Sequence, residues 1–568
     1  MLGGVKNMEK KNTKVAYGVA LIVIVVLLAV LKFVYPDGVV GTIWSLLPPA
    51  IAISLALISK EVYSSLFIGV LSGSLLVANF APWETVRVLI GGGEGIYEHG
   101  LITNIGDLWN VGILMFLVIL GIMVDLMNKG GGSAAFGRWA KENVKTRTGA
   151  QLMTMLLGVL IFIDDYFNCL TVGSVMRPVT ESHKISRAKL AYIIDATAAP
   201  VCMLAPVSSW AAAVAGFVDD SYISGIQMFI KQIPYNYYCL LTLVMIVVIS
   251  ILNIDYGPML KHEYNAQVKD DLFTTEHRPF EGADDYEEGA AHSTIADLIL
   301  PVVVLIVMCI IGLIYTGGFF EGASFIDAFA DADAATGLCL GSIVALIFTF
   351  VYYWLRKSIS FEKSMQSVPA GFIQMVSPIM ILCFAWTLGA LTKSGLESGA
   401  FVESVLENAA NLKNFLPVII FLMSAVIAFA TGTSWGTISI MAPIVTMAFD
   451  YGKEPLLCVI GLAACCAGGV CGDHCSPISD TTIMASAGAH CYHINHVNTQ
   501  LPYAITVIAV SSVGFIIAPF IKSWVICLAI EIALMIGVLL VIKSIVANRH
   551  AGIFEEMKKA DEALYGGK

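Results

Sequence analysis

Four stretches of this sequence set carboxylates or rows of hydroxyls inside apolar surroundings, where they could hold a cation. The first is FIDDYFNCLTVGSVMRP (162–178), whose Asp164, Asn168 and Thr171 fall at i, i+4 and i+7. That spacing is one face of a helix if the segment is continuous. Asp165 adjoins Asp164, and two adjacent acids suit cation binding in competition with a proton. An ionised carboxylate at membrane depth costs about 2.5–3.5 kcal/mol or more, so it calls for a cation, a proton or a cavity. The alternative is a pair that ends a helix at an interface, although apolar sequence continues beyond it. The second stretch, YIIDATAAPVCMLAPVSSW (192–210), carries Asp195, Thr197, Ser208 and Ser209 around Pro200 and Pro206. Proline removes a backbone donor and frees a carbonyl one turn earlier, and a desolvated cation is one partner for such a carbonyl. A kinked helix with internally paired polar groups is the other reading.

The third stretch, ATGTSWGTISIMAP (430–443), has no carboxylate, and Thr433, Ser434 and Thr437 offer neutral oxygens beside Gly432 and Gly436. Small residues also serve helix packing. The fourth, GGVCGDHCSPISDTTIMASAGAHCYHINHVNTQLPYA (468–504), crowds Asp473, His474, Ser476, Ser479, Asp480 and Thr481 around Pro477. So much glycine and hydroxyl cannot face lipid as a regular helix, and the segment reads as the unwound part of a discontinuous one. Sodium is the ion that Asp164, Asp165, Asp473 and Asp480 could hold. His490, His493 and His496 repeat at a spacing of three beside Cys471, Cys475 and Cys491, which invites a metal reading. Their polar, interfacial setting favours hydrogen-bonded histidines instead.

The elements that must position these residues are membrane helices. Hydrophobic residues make up 57% of 568 positions and charged residues 13%, with a mean hydropathy of +0.81. A soluble domain carries roughly 25% charged residues, so lipid must solvate much of this surface. The net charge of −11 is concentrated in a few loops, above all 262–288, and no basic stripe exists for nucleic acid. The thirteen cysteines are mostly embedded in apolar runs and read as small buried hydrophobes. The chain divides into a tail and first helix (1–39), a first membrane half (40–253), an acidic hydrophilic connection (254–293), a second half with a terminal helix (294–546) and a tail (547–568). The run Val15–Val34 follows Lys6, Lys10, Lys11 and Lys14, is long enough to span, and reads as an uncleaved helix with a cytoplasmic N-terminus.

The halves look related. A shift of 265 places sets GGGSAAFGRW (130–139) on GLESGAFVES (395–404) and NCLTVGSVMRPV (168–179) on TSWGTISIMAPI (433–444). With six extra residues in the second half, APVSSW (205–210) meets SPISDT (476–481). In this alignment Ala430 replaces Asp165. Loop 128–149 carries Lys129, Arg138, Lys141, Lys145 and Arg147 against Glu142, whereas its counterpart 393–414 carries Lys393 and Lys413 against Glu397, Glu403 and Glu407. Positive charge stays in the cytoplasm, so equivalent loops are expected on opposite faces. The fold class expected is an all-α polytopic membrane protein of about eleven to thirteen transmembrane helices, in two inverted-topology repeats with broken or re-entrant helices.

GDHCSPISDTT with HINHVNTQLPYA after it resembles the signature region of NhaC-type sodium/proton antiporters, and TGTSWGT and APVSSW are similar to that family too. The resemblance spans about 40–545. It implies secondary active transport in the cell membrane, with sodium and protons as the exchanged ions and no cofactor. Some relatives exchange organic anions, such as malate for lactate, or carry amino acids, so a small carboxylate substrate is the alternative; homo-oligomers are compatible with either. An intramembrane hydrolase would need a paired-Asp GxGD arrangement, HExxH or an exposed Ser-His pair; CGDHC has only one of the glycines and no HExxH occurs. A channel fits buried acids on broken helices less well than alternating access does, and no phosphate-binding GxxxxGK[ST] loop occurs.

Overall fold

The computed structural model describes all residues except 1, 37, 60, 219–221, 279–292, 326–327, 329–331, 399–400, 402–412 and 566–568. Among the described residues the architecture is helical throughout. Nine of these helices are long and apolar enough to cross a membrane, or ten if Gly225–Tyr235 and Tyr237–Leu252, bent by 46°, form one span. Ile43–Ala56, Val62–Val77 and Ser434–Ala448 are apolar but shorter. The sequence-based count of eleven to thirteen includes such short pieces, because hydropathy registers an apolar run whether or not its helix is continuous.

Pro455–Cys475 lies at the centre, with 83% of its apolar window buried, while Ala16–Val34 is peripheral at 11%. The central helix packs on Leu416–Thr431 through Gly468 and Gly472, where a Cβ would meet the Phe421 and Ala425 carbonyls. This is the close backbone approach that small residues four apart allow between membrane helices. A second group, Leu108–Gly130, Ala296–Thr316, Ala334–Arg356 and Phe361–Ala390, packs alongside.

Each half contains two helices that break before they are complete. Arg147–Leu160 stops and restarts as Asp165–Ser182, and Arg187–Thr197 stops and, after the single turn Ala199–Cys202, resumes as Ser209–Ala215. In the second half Leu416–Thr431 restarts as Ser434–Ala448, and Pro455–Cys475 as Asp480–Gly488. The local causes are legible. Gly432 holds φ of 71° between the third pair, a conformation that costs glycine least. Pro200 follows the distorted Ala198 of the second, and Pro477 lies in the fourth gap. Ser208, Thr433 and Ser479 each cap the helix that resumes, accepting from the N–H of Ala211, Gly436 and Thr482.

The connection 254–293 departs from the loop expected of it. Pro258–Val268 is a helix with Glu263 fully buried. Glu263 is ion-paired with buried Arg147 and accepts from the Ser186 N–H at 2.9 Å. The charges drawing this stretch out of the apolar pattern are paired ones, which composition alone cannot reveal. Its most acidic part, 279–292, lies outside the described residues.

Candidate functional site

The four breaks meet. Ser209 N–H donates to the Ile163 carbonyl at 3.0 Å, joining the second break to the first. Ser476 Oγ donates to the Phe429 carbonyl at 2.7 Å, and a Cβ on Gly432 would stand 2.7 Å from the Ile478 carbonyl, so the third and fourth gaps adjoin. Asp165–Ser182 crosses Asp480–Gly488, with Cys169 Sγ 3.6 Å from the Thr481 carbonyl. Backbone groups freed by interrupted helices need protein partners at membrane depth, and the breaks supply them to one another.

Asn168 shows how. Its Nδ2 lies within hydrogen-bond distance of three carbonyls, Gly158 at 2.7 Å, Ile161 at 3.0 Å and Thr197 at 3.0 Å, all at the ends of broken helices. Asn168→Ala leaves these acceptors without that donor in a buried site. We expect a loss of stability on the order of 1–3 kcal/mol, seen as a lower melting temperature of the detergent-solubilised protein.

Two carboxylate clusters occupy the junction. In the first, Asp165 Oδ2 accepts from Trp210 Nε1 at 3.1 Å, and the Trp210 ring stacks on Trp435 with centroids 4.2 Å apart. Ser434, next to Trp435, donates to Asp473 Oδ2 at 2.7 Å, and Asp473 Oδ1 has no hydrogen-bond donor. Asp165 and Asp473 are 1% and 4% exposed, and neither pairs with a lysine or arginine among the described residues. In the second cluster, Asp195 Oδ2 lies 3.2 Å from Thr482 Oγ1, 3.2 Å from His496 Nε2 and 3.1 Å from Gln500 Nε2. Gln500 also donates to the His474 carbonyl, and His474 Nδ1 lies 2.7 Å from the Tyr238 hydroxyl.

The remaining candidates sort by what they touch. Thr197 and Thr437 donate to carbonyls of their own helices at 2.7 and 2.9 Å, and Ser479 lies 3.0 Å from Thr481. A hydroxyl that gives its proton to a carbonyl still offers lone pairs. Thr171 departs from the single face expected of it: its Oγ1 donates to Asn128 at 3.1 Å. Asp164 is buried in the gap rather than on the helix, which begins at Asp165, so the i, i+4, i+7 face is interrupted. Asp480 differs from its expected place too. It is exposed at the first turn of its helix, whereas Asp473 is buried.

Among the described residues no three His, Cys, Asp or Glu side chains gather as a metal cluster. His493 instead bridges the Pro477 carbonyl (2.7 Å) and Ser486 (3.0 Å). Glu531 is fully buried, and both its carboxylate oxygens lack hydrogen-bond partners. Sequence reasoning did not single out Trp210, Trp435 or Gln500 as site residues. The signal for Gln500 was its i, i+4 spacing from His496.

The sequence profile of the Na+/H+ antiporter family matches residues 197–520. The chain belongs to the Na+/H+ antiporter family. It is a multi-pass membrane transporter, not an enzyme. An uncharacterized protein of Haemophilus influenzae is 36% identical over 496 residues, covering 85% of this chain and 92% of that one. The malate-2H(+)/Na(+)-lactate antiporter of Bacillus subtilis is 27% identical over 214 residues, 36% of this antiporter-family chain and 42% of its own length. Two solved transporters also align at 14% identity. Neisseria gonorrhoeae MtrF has a TM-score of 0.47, covering 82% of this chain and 94% of its own. YdaH of Alcanivorax borkumensis has 0.46, covering 74% and 86%. The matched family span begins at Thr197, so it takes in Asp473 and three of the breaks but not Asp165 or Asp195.

Proposed function

We propose that this protein exchanges sodium for protons by alternating access, with Asp165, Asp195 and Asp473 as the carboxylates over which the ions compete. The observation that carries this reading is the convergence of four helix breaks on three buried carboxylates, none of which has a lysine or arginine partner among the described residues, Asp195 meeting His496 instead. A buried carboxylate is stable when a cation or proton neutralises it, and one site that accepts either exchanges them by simple competition. Ser209, Ser434, Ser476 and the freed carbonyls add neutral oxygens of the kind that sodium takes from broken helices.

A cavity of about 580 Å³ supports an entry on one side. Asn104, Asp107, Trp386 and Lys393 line it, and Asp107 caps the end of Leu108–Gly130 opposite Lys129. From its wall at Gly216 the short helix Ser209–Ala215 leads back to Trp210, about 9 Å along the axis. The stacked Trp210 and Trp435 rings then stand between cavity and carboxylates. By the positive-inside rule the Lys129, Arg138 and Arg147 end faces the cytoplasm and this cavity opens outside. The halves 40–253 and 294–546 are then inverted copies.

Cysteines introduced at Lys141 and Ser394 test the orientation, since both positions are exposed. The first should react with a membrane-impermeant maleimide only from the cytoplasm, the second only from outside; labelling from one face sinks the inversion. Glu403, the other natural choice, lies outside the described residues. The exchange itself is tested in everted vesicles with a pH-sensitive dye and graded sodium, lithium and potassium. Sodium should dissipate an inside-acid gradient. A gradient indifferent to all three cations but responsive to malate or lactate would instead favour carboxylate exchange, the reading that the Bacillus subtilis relative's name supports.

A further inference from the structure

Between Asp195 and the basic face of the bundle runs a buried column of ionisable side chains that the carboxylate clusters do not account for. It starts on one helix, where Lys189, Tyr192 and Asp195 follow one another at steps of three residues. Successive steps of three keep neighbours in reach along a helix. Tyr192 packs between two rings: it stacks on His474 with centroids 6.3 Å apart and meets Tyr503 edge-on at 4.9 Å. The Tyr503 hydroxyl donates to Asp255 Oδ1 at 2.8 Å, and Lys189 Nζ donates to the same oxygen at 2.6 Å. All of these side chains are at most 8% exposed, yet the column begins at Asp195 in the junction and ends at Asp255, just after Tyr237–Leu252. Beside that end stand the ion-paired Arg147 and Glu263, on the face with the basic loops.

A purely structural column would be expected to satisfy its polar atoms, and this one does not. Tyr192 Oη, His474 Nε2, His496 Nδ1 and Gln500 Oε1 are buried without a hydrogen-bond partner, all in the stretch nearest Asp195. Buried polar atoms left open in this way are where ordered water or a moving proton is accommodated. The opposite end is closed by the Lys189–Asp255 ion pair. Hydrogen bonds hold the two ends, Asp195 with His496 and Gln500 and Asp255 with Tyr503 and Lys189, while His474, Tyr192 and Tyr503 between them meet through their rings.

We propose that Tyr192, Tyr503 and the Lys189–Asp255 pair form the path by which protons pass between Asp195 and the basic face of the bundle. This rests on the reading of Asp195 as an exchange carboxylate and adds the route to it. When a cation displaces the proton of Asp195, each hydroxyl on the way takes one proton and gives up its own, so no charge is left on the tyrosines. Asp255 receives the proton and releases it to solvent, and Lys189 Nζ, 2.6 Å from the same carboxylate, holds it in place. Sodium need not follow this route, because the column offers it no row of neutral oxygens. Protons and sodium then share the junction but not the whole way out.

The separation can be measured on the full-length protein reconstituted in liposomes, with two readouts for each variant. One is sodium-driven proton flux, followed with an internal pH dye. The other is exchange of isotopic sodium against unlabelled sodium, which moves no net proton. Tyr503→Phe, Tyr192→Phe and Asp255→Asn should each slow proton flux on the order of tenfold or more, in the range that losing a proton-transfer group costs. Sodium–sodium exchange should stay within about twofold of the wild type, too small a change to reflect a damaged junction. Tyr256→Phe is the control, because Tyr256 also packs on Tyr503 (4.5 Å) but its hydroxyl faces Thr506 at 2.8 Å; both its rates should be unchanged. Equal loss of both activities in the three variants shows a structural column and overturns the path, as does unchanged proton flux in Tyr503→Phe. A wild-type protein without any sodium-driven proton flux refutes the antiport reading, and the path with it.

Discussion

Asp473→Asn and Asp165→Asn should each greatly weaken sodium-driven proton movement, so that it appears only at high sodium, while leaving the protein in the membrane at normal levels. Asparagine keeps the size and the hydrogen bonds to Ser434 or Trp210 within reach, so the packing of the breaks is preserved and only the charge is lost. A unit charge about 4 Å from a cation contributes about 4 kcal/mol at the effective dielectric of a protein, part of which is offset by desolvation. Sodium affinity should therefore fall on the order of 100-fold, about 3 kcal/mol, measured as the sodium concentration for half-maximal dye response. The pH dependence fixes the sign. A protonated carboxyl repels no proton and holds no cation, so in the wild type the sodium concentration for half-maximal response should fall as pH rises. Asp473→Asn should flatten that slope. Asp480→Asn is the informative companion: exposed on its helix end, it should keep both slope and rate. A flat slope in Asp480→Asn with a normal one in Asp473→Asn would move the exchange to the Asp480 side of the fourth break.

That contrast also marks how far the sequence could be read. Three of the four break positions were legible, because Gly432, Pro200 and Pro477 interrupt apolar runs and a proline or glycine acts through its own backbone, whereas the break before Asp165 carries no such residue. The four stretches picked out for their carboxylates and hydroxyls are the ones whose breaks meet. What each side chain does there was less legible. Asp473 and Asp480 flank the same proline and look equivalent in sequence, yet helix Pro455–Cys475 carries one into the centre and the restart leaves the other exposed. Ser208, Thr433 and Ser479 were read as ligands, and the structure shows that they also cap helices, since the same small hydroxyl suits either task. The Pro258–Val268 helix was hidden because its charges are satisfied by partners more than 70 positions away, such as Ser186 for Glu263. The tryptophan pair has the same origin: its rings are 225 positions apart and meet only because the second and third breaks do.

Gly472→Val should remove most folded protein from the membrane. Gly472 lies one turn before the fourth break, on the helix that carries Asp473, and its backbone abuts Leu416–Thr431. A Cβ there would stand 2.7 Å from the Ala428 Cβ and 2.7 Å from the Phe429 nitrogen, in addition to meeting the Ala425 carbonyl. The nitrogen and the carbonyl are backbone and the third atom is an alanine Cβ, so no side chain can swing aside to make room. Overpacking that flexible neighbours absorb costs about 1–3 kcal/mol, and a contact that must push one helix off another should exceed that. Such a displacement has a second consequence. Ser476 reaches the Phe429 carbonyl and Ser434 reaches Asp473 only while the helices stay in contact, so a shift by even one methyl width unseats the third and fourth breaks together. The measurement is the fraction of protein recovered as a monodisperse peak after detergent extraction, compared with Gly537→Val, a glycine in the last span with nothing within 4 Å of its Cβ position. Gly537→Val should behave as the wild type. Normal recovery of Gly472→Val with lost transport would mean that the helices can separate without unfolding, and that the contact serves the position of Asp473 alone.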